Sequence, residues 1–193
     1  KLSWRFAIDF RLLNKVTKRQ VYPLPRIDDA LASLSGNRYF TALDCTNGYW
    51  NLPMRTEADR DRTAFNCHRG SFRYLRMPFG LVNAPSQFQQ FMDHALRGLN
   101  FRIALICLDD VLVYSKDHVS HLRDLGLVLD CIRAAGLQLK AAKCMVGSDQ
   151  VSYLGHVVSP MGIHPDPRKV HAIHSFQPQT RRHLASLVGM SNC

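Results

Sequence analysis

Apolar and polar positions follow two rhythms along this chain, and each rhythm predicts an element. From Trp4 to Phe10, Arg5, Ala7 and Asp9 fall on one side and Phe6, Ile8 and Phe10 on the other, which predicts a strand with Arg5 on its polar face. Residues 11–18 read as a basic loop, and Tyr22-Pro23-Leu24-Pro25 as an extended stop. Ile27, Leu31 and Leu34 recur at helical spacing, and Gly36 closes that helix. Residues 38–45 form a second strand ending in the carboxylate of Asp44, after which Asn47-Gly48 forces a turn into Tyr49-Trp50. Residues 63–65 and 72–77 make a hairpin around Arg69-Gly70. Ser86 then caps a helix whose apolar face is Phe88, Phe91, Met92, Ala95 and Leu96. A hairpin over 102–115 leads to an amphipathic helix over 118–135, through Leu122, Leu125, Val128, Leu129 and Ile132, ended at Gly136. Short strands follow at 137–140, 150–154 and 156–158, then two helices at 168–176 and 180–192. This mixed order has no run of βα units, so it predicts an α+β fold around an antiparallel sheet.

One stretch resists a purely structural reading. In Cys107-Leu108-Asp109-Asp110-Val111-Leu112-Val113-Tyr114-Ser115-Lys116, two adjacent carboxylates interrupt an apolar run that begins at Ile103. Burying either charge unpaired costs several kcal/mol or shifts its pKa. A hairpin with the pair near its tip keeps the flanks buried and the acids in solvent. Successive strand residues point to opposite faces, so the two acids need not share a role. A divalent metal is the cationic partner such acids call for. An ordinary Asp-containing turn is the competing reading of the same residues.

Composition narrows the class. At 193 residues, 46% hydrophobic and 21% charged, the sequence can bury one sizeable core of a globular protein. No apolar run approaches the roughly 20 residues a membrane helix needs. The N-terminus gives way to charge too early for a signal peptide. With no initiator Met and a start in mid-pattern, the chain reads as a fragment. The six cysteines, Cys45, Cys67, Cys107, Cys131, Cys144 and Cys193, stand at neither zinc-finger nor redox spacing, as expected of reduced thiols in an intracellular protein. A net charge of +10 favours a polyanionic partner, with a solvated basic face as the plainer alternative.

Asp44 ends one predicted strand, and Asp109-Asp110 lies in a hairpin far along the chain. If those elements neighbour in one sheet, three carboxylates converge. Two Mg²⁺ ions about 3.5–4 Å apart, bridged by carboxylates, suit an in-line phosphoryl displacement. Spacing alone leaves that convergence open. The pairs His118/His121 and His171/His174 each share a helix face but have no acidic or thiolate partner at metal spacing, and read as solvent-facing. No Gly-rich phosphate loop or nucleophile elbow is present.

Six segments in this order resemble the reverse transcriptase region of gypsy-class LTR-retrotransposon polyproteins. They are Trp4-Arg5-Phe6-Ala7-Ile8-Asp9-Phe10-Arg11-Leu12-Leu13-Asn14-Lys15, Tyr22-Pro23-Leu24-Pro25-Arg26-Ile27-Asp28-Asp29, and Leu43-Asp44 with Gly48-Tyr49. Met77-Pro78-Phe79-Gly80-Leu81-Val82-Asn83-Ala84-Pro85, Leu108-Asp109-Asp110-Val111-Leu112-Val113-Tyr114-Ser115 and Tyr153-Leu154-Gly155-His156 complete the set. The resemblance implies an α+β right-hand polymerase: N-terminally incomplete fingers over 1–20 and 52–83, a palm of antiparallel sheet on helices over 21–51 and 84–161, and the start of a thumb over 162–193. It implies RNA- and DNA-directed DNA synthesis with two Mg²⁺ ions, Mn²⁺ being a possible substitute. The implied partners are dNTPs, a primed RNA or DNA template, and the RNase H and integrase regions of the same polyprotein. No membrane partner is implied, and the setting is intracellular, in a cytoplasmic virus-like particle.

Residue by residue, the resemblance makes Asp44, Asp109 and Asp110 the catalytic, metal-binding carboxylates, with the backbone carbonyl of Cys45 as a further ligand. It makes Arg5 the grip on the incoming triphosphate and Tyr49 the ring beneath the sugar that excludes a 2′-hydroxyl. Phe79-Gly80 becomes the segment against the nucleotide and templating base, Lys143 the proton donor to pyrophosphate, and Tyr153, Leu154, Gly155 and His156 the primer grip. Each has a plainer competitor: Arg5 a surface strand residue, Tyr49 and Phe79 core aromatics, Lys143 a solvated lysine. Cys107 departs from the family, which carries an aromatic ring two positions before the paired aspartates, and Cys45 and Asn51 also replace commoner residues. A decayed copy that only binds nucleic acid, and a metal-dependent nuclease, are the alternative functions.

Overall fold

The computed structural model describes residues 6–23, 25–46, 48–168 and 170. In chain order its elements are helices α1 (Arg11–Val16) and α2 (Ile27–Leu34), strand β1 (Tyr39–Asp44), a 3-10 turn at Gly48–Asn51, helix α3 (Glu57–Asp61) and strands β2 (Phe65–Cys67) and β3 (Gly70–Phe72). Helix α4 (Ala84–Ala95), strands β4 (Ala104–Cys107) and β5 (Asp110–Ser115) and helix α5 (His118–Ala134) follow. A second 3-10 turn at Ala141–Lys143 leads to β6 (Met145–Ser148), β7 (Val151–Tyr153), β8 (His156–Ser159) and β9 (Gly162–Pro165). The predicted α+β class stands.

A four-stranded antiparallel sheet, ordered β4-β5-β1-β6, is the frame. Strand alternation sends its apolar residues both ways. Leu43, Ile106, Val111 and Val113 pack on Phe88, Met92 and Leu96 of the α4 segment and on Val128 and Ile132 of α5. Phe40, Leu105, Leu112 and Tyr114 pack on Ala30 and Leu34 of α2 and on Val151, Tyr153 and Val158 of the β7-β8-β9 sheet. A sheet covered on both faces explains the near-continuous apolar runs of β4 and β5. Fully burying each large side chain contributes roughly 1.5–3 kcal/mol, so this double core holds the acidic hairpin rigidly.

Local chemistry overrode several expectations. Residues 6–10 are irregular rather than a strand, and 11–16 are helical rather than a loop. The cause is Asp9, whose carboxylate accepts from the backbone N–H of Arg11 at 2.9 Å and so turns the chain into α1. Ser86 lies inside α4 instead of capping it; Pro85 in the first turn starts the helix earlier, and Ser86 Oγ donates to the carbonyl of Gln20 at 3.0 Å. On α5, Leu122 is exposed while His121 and Asp124 are buried, which reverses the solvent-facing reading of His121. Polar partners in the sheet account for the rotation. His121 Nε2 lies 2.8 Å from Thr41 Oγ1, Nδ1 lies 3.3 Å from Ser115 Oγ, and Ser115 Oγ donates to Asp124 Oδ2 at 3.2 Å.

The strand expected at 137–140 reduces to one bridge, Leu139 with Cys45, and β6 takes the fourth place in the sheet. Its Met-Val-Gly-Ser sequence has no apolar rhythm. A bulge opposite Thr41 accommodates Gly147 at φ 63°, with Thr41 Oγ1 accepting from the Gly147 N–H at 3.0 Å. Strand β9 pairs with β8, so the three-stranded sheet continues past residue 161. The helices expected at 168–176 and 180–192 fall almost wholly outside the described residues, as does His171/His174. Among the described residues all five cysteines are free. No helix among them is long and apolar enough to cross a membrane.

Candidate active site

Register brings the acids together. Asp44 at the end of β1 is the cross-strand partner of Asp110 at the start of β5, and Asp109 sits in the two-residue turn between β4 and β5. The N–H of Cys45 donates to the carbonyl of Asp109 at 3.1 Å, tying that turn to the end of β1. Asp44 and Asp109 line a cleft of about 230 Å³ with Cys45, Tyr49, Phe79 and Lys143. Asp110 lines an adjoining hollow of about 220 Å³ that Asp44 and Lys143 also border, with Tyr153 and Leu154 on its far side. Asp44 is therefore the wall between two concavities. Asp109 and Asp110 open to opposite sides of it, as the alternation rule anticipated.

Electrostatics report the same proximity. Partial desolvation, then the neighbouring charges of Asp109 and Asp44, push the Asp110 carboxyl up from its ordinary value, while Lys143 opposes the shift. Although Asp110 keeps contact with solvent, its carboxyl is crowded by protein on the β7–β8 side. Burial and the charge of Asp109 push the Cys45 thiol up to about 12. The Tyr49 phenol is raised by the same two causes. Lys143 Nζ donates to Asp44 Oδ2 at 2.7 Å, and that bond raises the ammonium's pKa.

Among the described residues no three His, Cys, Asp or Glu side chains are grouped as a ready metal cage. The donors are nonetheless carboxylate oxygens, the hard ligands that suit Mg²⁺ or Mn²⁺. The Lys143 ammonium held on Asp44 marks the place as one that attracts a cation. Asp44, Asp109, Asp110 and the neighbouring backbone at Cys45 could thus hold a divalent ion.

The cleft floor is aromatic. The Tyr49 ring lies 5.3 Å from that of Phe79 and meets Phe88 edge-on at 5.6 Å. Gly48 makes this possible: a Cβ there would lie 2.6 Å from Phe88 Cζ. Gly80 adopts φ 93°, and its carbonyl accepts from Asn14 Nδ2 at 2.7 Å while Asn14 Oδ1 accepts from the Val82 N–H at 2.9 Å. Helix α1 thereby fixes the Phe79-Gly80 segment. In the β7–β8 hairpin, Leu154 and Gly155 both have positive φ, 47° and 81°, which gives the tight turn between Tyr153 and His156. Tyr153 is buried in the second core, and burial raises its phenol. Arg5 lies outside the described residues.

A larger cleft of about 580 Å³ lies by α1 and α3, lined among others by Asn14, Lys18, Arg55 and Arg62. Its one carboxylate is Asp59, so it lacks paired acids. Two contributors escaped sequence reasoning: Asn14, just described, and Gln89, whose Oε1 accepts from the Leu108 N–H at 2.7 Å. The available signal for Gln89 was a polar residue at core spacing beside Met92 and Leu96.

A family model described as reverse transcriptase (RNA-dependent DNA polymerase) matches residues 1–158. The retrovirus-related Pol polyprotein from transposon opus of Drosophila melanogaster is 40% identical over 191 residues, covering 98% of this chain and 19% of that polyprotein. The transposon Tf2-3 polyprotein of Schizosaccharomyces pombe is 34% identical over 192 residues, covering 97% of this chain and 14% of the relative. This chain thus spans less than a fifth of the length of these curated relatives. Among solved structures, the foamy viral protease-reverse transcriptase in complex with double-stranded DNA superposes with TM-score 0.87 at 24% identity, over 98% of this chain and 33% of that one. The same enzyme with an RNA/DNA hybrid gives TM-score 0.84 at 24% identity, over 98% and 26%. That likeness establishes a shared fold.

Proposed function

Because the chain belongs to the reverse transcriptase (RNA-dependent DNA polymerase) family, we propose that it extends a primer 3′-hydroxyl with dNTPs on RNA or DNA templates. One observation carries this reading: the β1–β5 register, which pairs Asp44 with Asp110 and leaves Asp109 in the adjoining turn. In this reading 1–20 and 52–83 serve as fingers, 21–51 and 84–161 as palm, and 162–193 as the start of a thumb, with β9 carrying a sheet across the last boundary. RNase H and integrase regions of a longer polyprotein, in a cytoplasmic particle, are the proposed surroundings.

The residues divide the work. Asp44 and Asp109 would hold two Mg²⁺ ions with the Cys45 carbonyl, and Asp110 would face the primer end. Bound there, the metals would offset charge developing at the α-phosphate. Tyr49, wedged between Phe79 and Phe88, presents a fixed ring that a 2′-hydroxyl would strike. Phe79 and Gly80, pinned by Asn14, would back the nucleotide base. Arg5 would bind the triphosphate, where a bidentate guanidinium suits phosphate oxygens. Lys143, kept protonated by Asp44, would supply a proton to the departing pyrophosphate. The turn of Tyr153, Leu154, Gly155 and His156, across the hollow from Asp110, would grip the primer.

Primer extension on poly-A with oligo-dT tests the reading, comparing wild type with Asp109→Asn. Extension by wild type and a loss of at least about a hundredfold in the variant is expected, since removing one transition-state donor alone costs about that. Duplex binding without extension would instead fit a binding remnant, and degradation of unprimed nucleic acid a nuclease.

A further inference from the structure

Helix α4 places a fully buried amide on its core face, at a position where an apolar residue would suffice for packing. Gln89 Oε1 accepts from the Leu108 N–H at 2.7 Å, and its Nε2 donates to the Ile106 carbonyl at 3.3 Å and to Asp93 Oδ1 at 3.1 Å. Both backbone groups belong to the hairpin that presents the acids. Leu108 is the first residue of that two-residue turn and adopts φ 54°, where glycine is the usual occupant. A branched side chain held in the left-handed region needs its surroundings to impose the conformation.

We infer that Gln89 is the positioning residue of the acidic turn, locking Leu108 in its left-handed conformation so that Asp109 and Asp110 diverge to their two sides of Asp44. The inference rests on the polymerase reading for its catalytic consequence, but the clasp itself is a structural claim. The amide is the right tool because it donates and accepts at once, matching a carbonyl and an N–H two residues apart on one strand end. Behind it, Asp93 also accepts from the Tyr22 hydroxyl at 2.9 Å, so the clasp is anchored to the segment before α2. On the other side, the Cys45 N–H holds the Asp109 carbonyl. The turn is thus gripped from both flanks.

Gln89→Met keeps the volume and removes all three hydrogen bonds; adding Leu108→Gly to it supplies a residue that adopts the left-handed region unaided. Three readouts are taken: exchange of the Leu108 amide by NMR, Mn²⁺ titration, and kcat and KM for primer extension. For folded Gln89→Met the expected result is faster Leu108 exchange and Mn²⁺ binding weakened about 10- to 100-fold. A kcat lower by a similar factor is expected, with KM for dNTP within about twofold and the double variant Gln89→Met, Leu108→Gly nearer wild type in Mn²⁺ affinity and kcat. Unchanged exchange and Mn²⁺ affinity in folded Gln89→Met would overturn the inference. If Gln89→Met does not fold, the double variant decides: recovered folding and Mn²⁺ affinity support the clasp, and failure to recover either overturns it. Wild-type protein that fails to extend a primer would sink the polymerase reading alone, since exchange and Mn²⁺ binding still judge Gln89.

Discussion

Lys143 and Asp44 meet at 2.7 Å with solvent reaching the ammonium, and such exposed pairs stabilise a fold little. In the proposed mechanism their role is chemical. Lys143→Gln is expected to move the urea midpoint little while lowering kcat about 10²- to 10⁴-fold, the range for a lost general acid, and to abolish the alkaline limb of the rate profile. His121 behaves in the opposite sense. Burial lowers its pKa from 6.5, with Asp124 only partly offsetting the effect. The unfolded chain therefore takes up a proton more readily than the folded one, so the stability it contributes is present above about pH 6.5 and is lost as pH falls. Urea midpoints at pH 7.5 and 5.5 should diverge more in wild type than in His121→Gln. At this scale the sequence was half legible. The acids stood out as charges inside an apolar run. His121 read as solvent-facing and Gln89 carried no assigned role, because periodicity does not show that the strand hydroxyls and the hairpin backbone would be their partners.

The 3-10 turn at Gly48–Asn51 shows how an element can be tuned by one missing atom group. Gly48→Ala would place a methyl 2.6 Å from the Phe88 ring, and overpacking of this kind costs about 1–3 kcal/mol. The variant should melt lower and, because Tyr49 rides on the same turn, incorporate ribonucleotides more readily relative to deoxyribonucleotides; thermal melts and paired extension assays check both. Elements with strong periodicity, such as β1, α4 and the β4–β5 hairpin, were readable in advance. Those decided by a single side-chain contact were not. Asp9 converted a would-be strand and loop into the start of α1, and Thr41 recruited the patternless Met-Val-Gly-Ser of β6 to the sheet. Periodicity registers burial, not these pairings.

Across the whole molecule, the sequence carries a net charge of +10 alongside a small acidic centre. A protein contacting six phosphates loses about 10³-fold in duplex affinity between 50 and 200 mM salt. Duplex binding by this chain should fall at least about tenfold over that range, as measured by fluorescence anisotropy, and Asp109→Asn should leave the slope unchanged. The two-sided burial of the sheet has a further result. Because a strand repeats every two residues, sliding β5 by one place along β1 would turn all its side chains over. Asp110 would enter the layer covered by α4 and α5, while Val111 would turn toward the face covered by α2 and the β7-β8-β9 sheet. Because β5 is apolar on both faces, the slip keeps most of the strand buried, and its cost falls on the buried charge of Asp110 and on repacking side chains of different size. Folding here doubles as proofreading: a chain stable enough to persist has already aligned its acids.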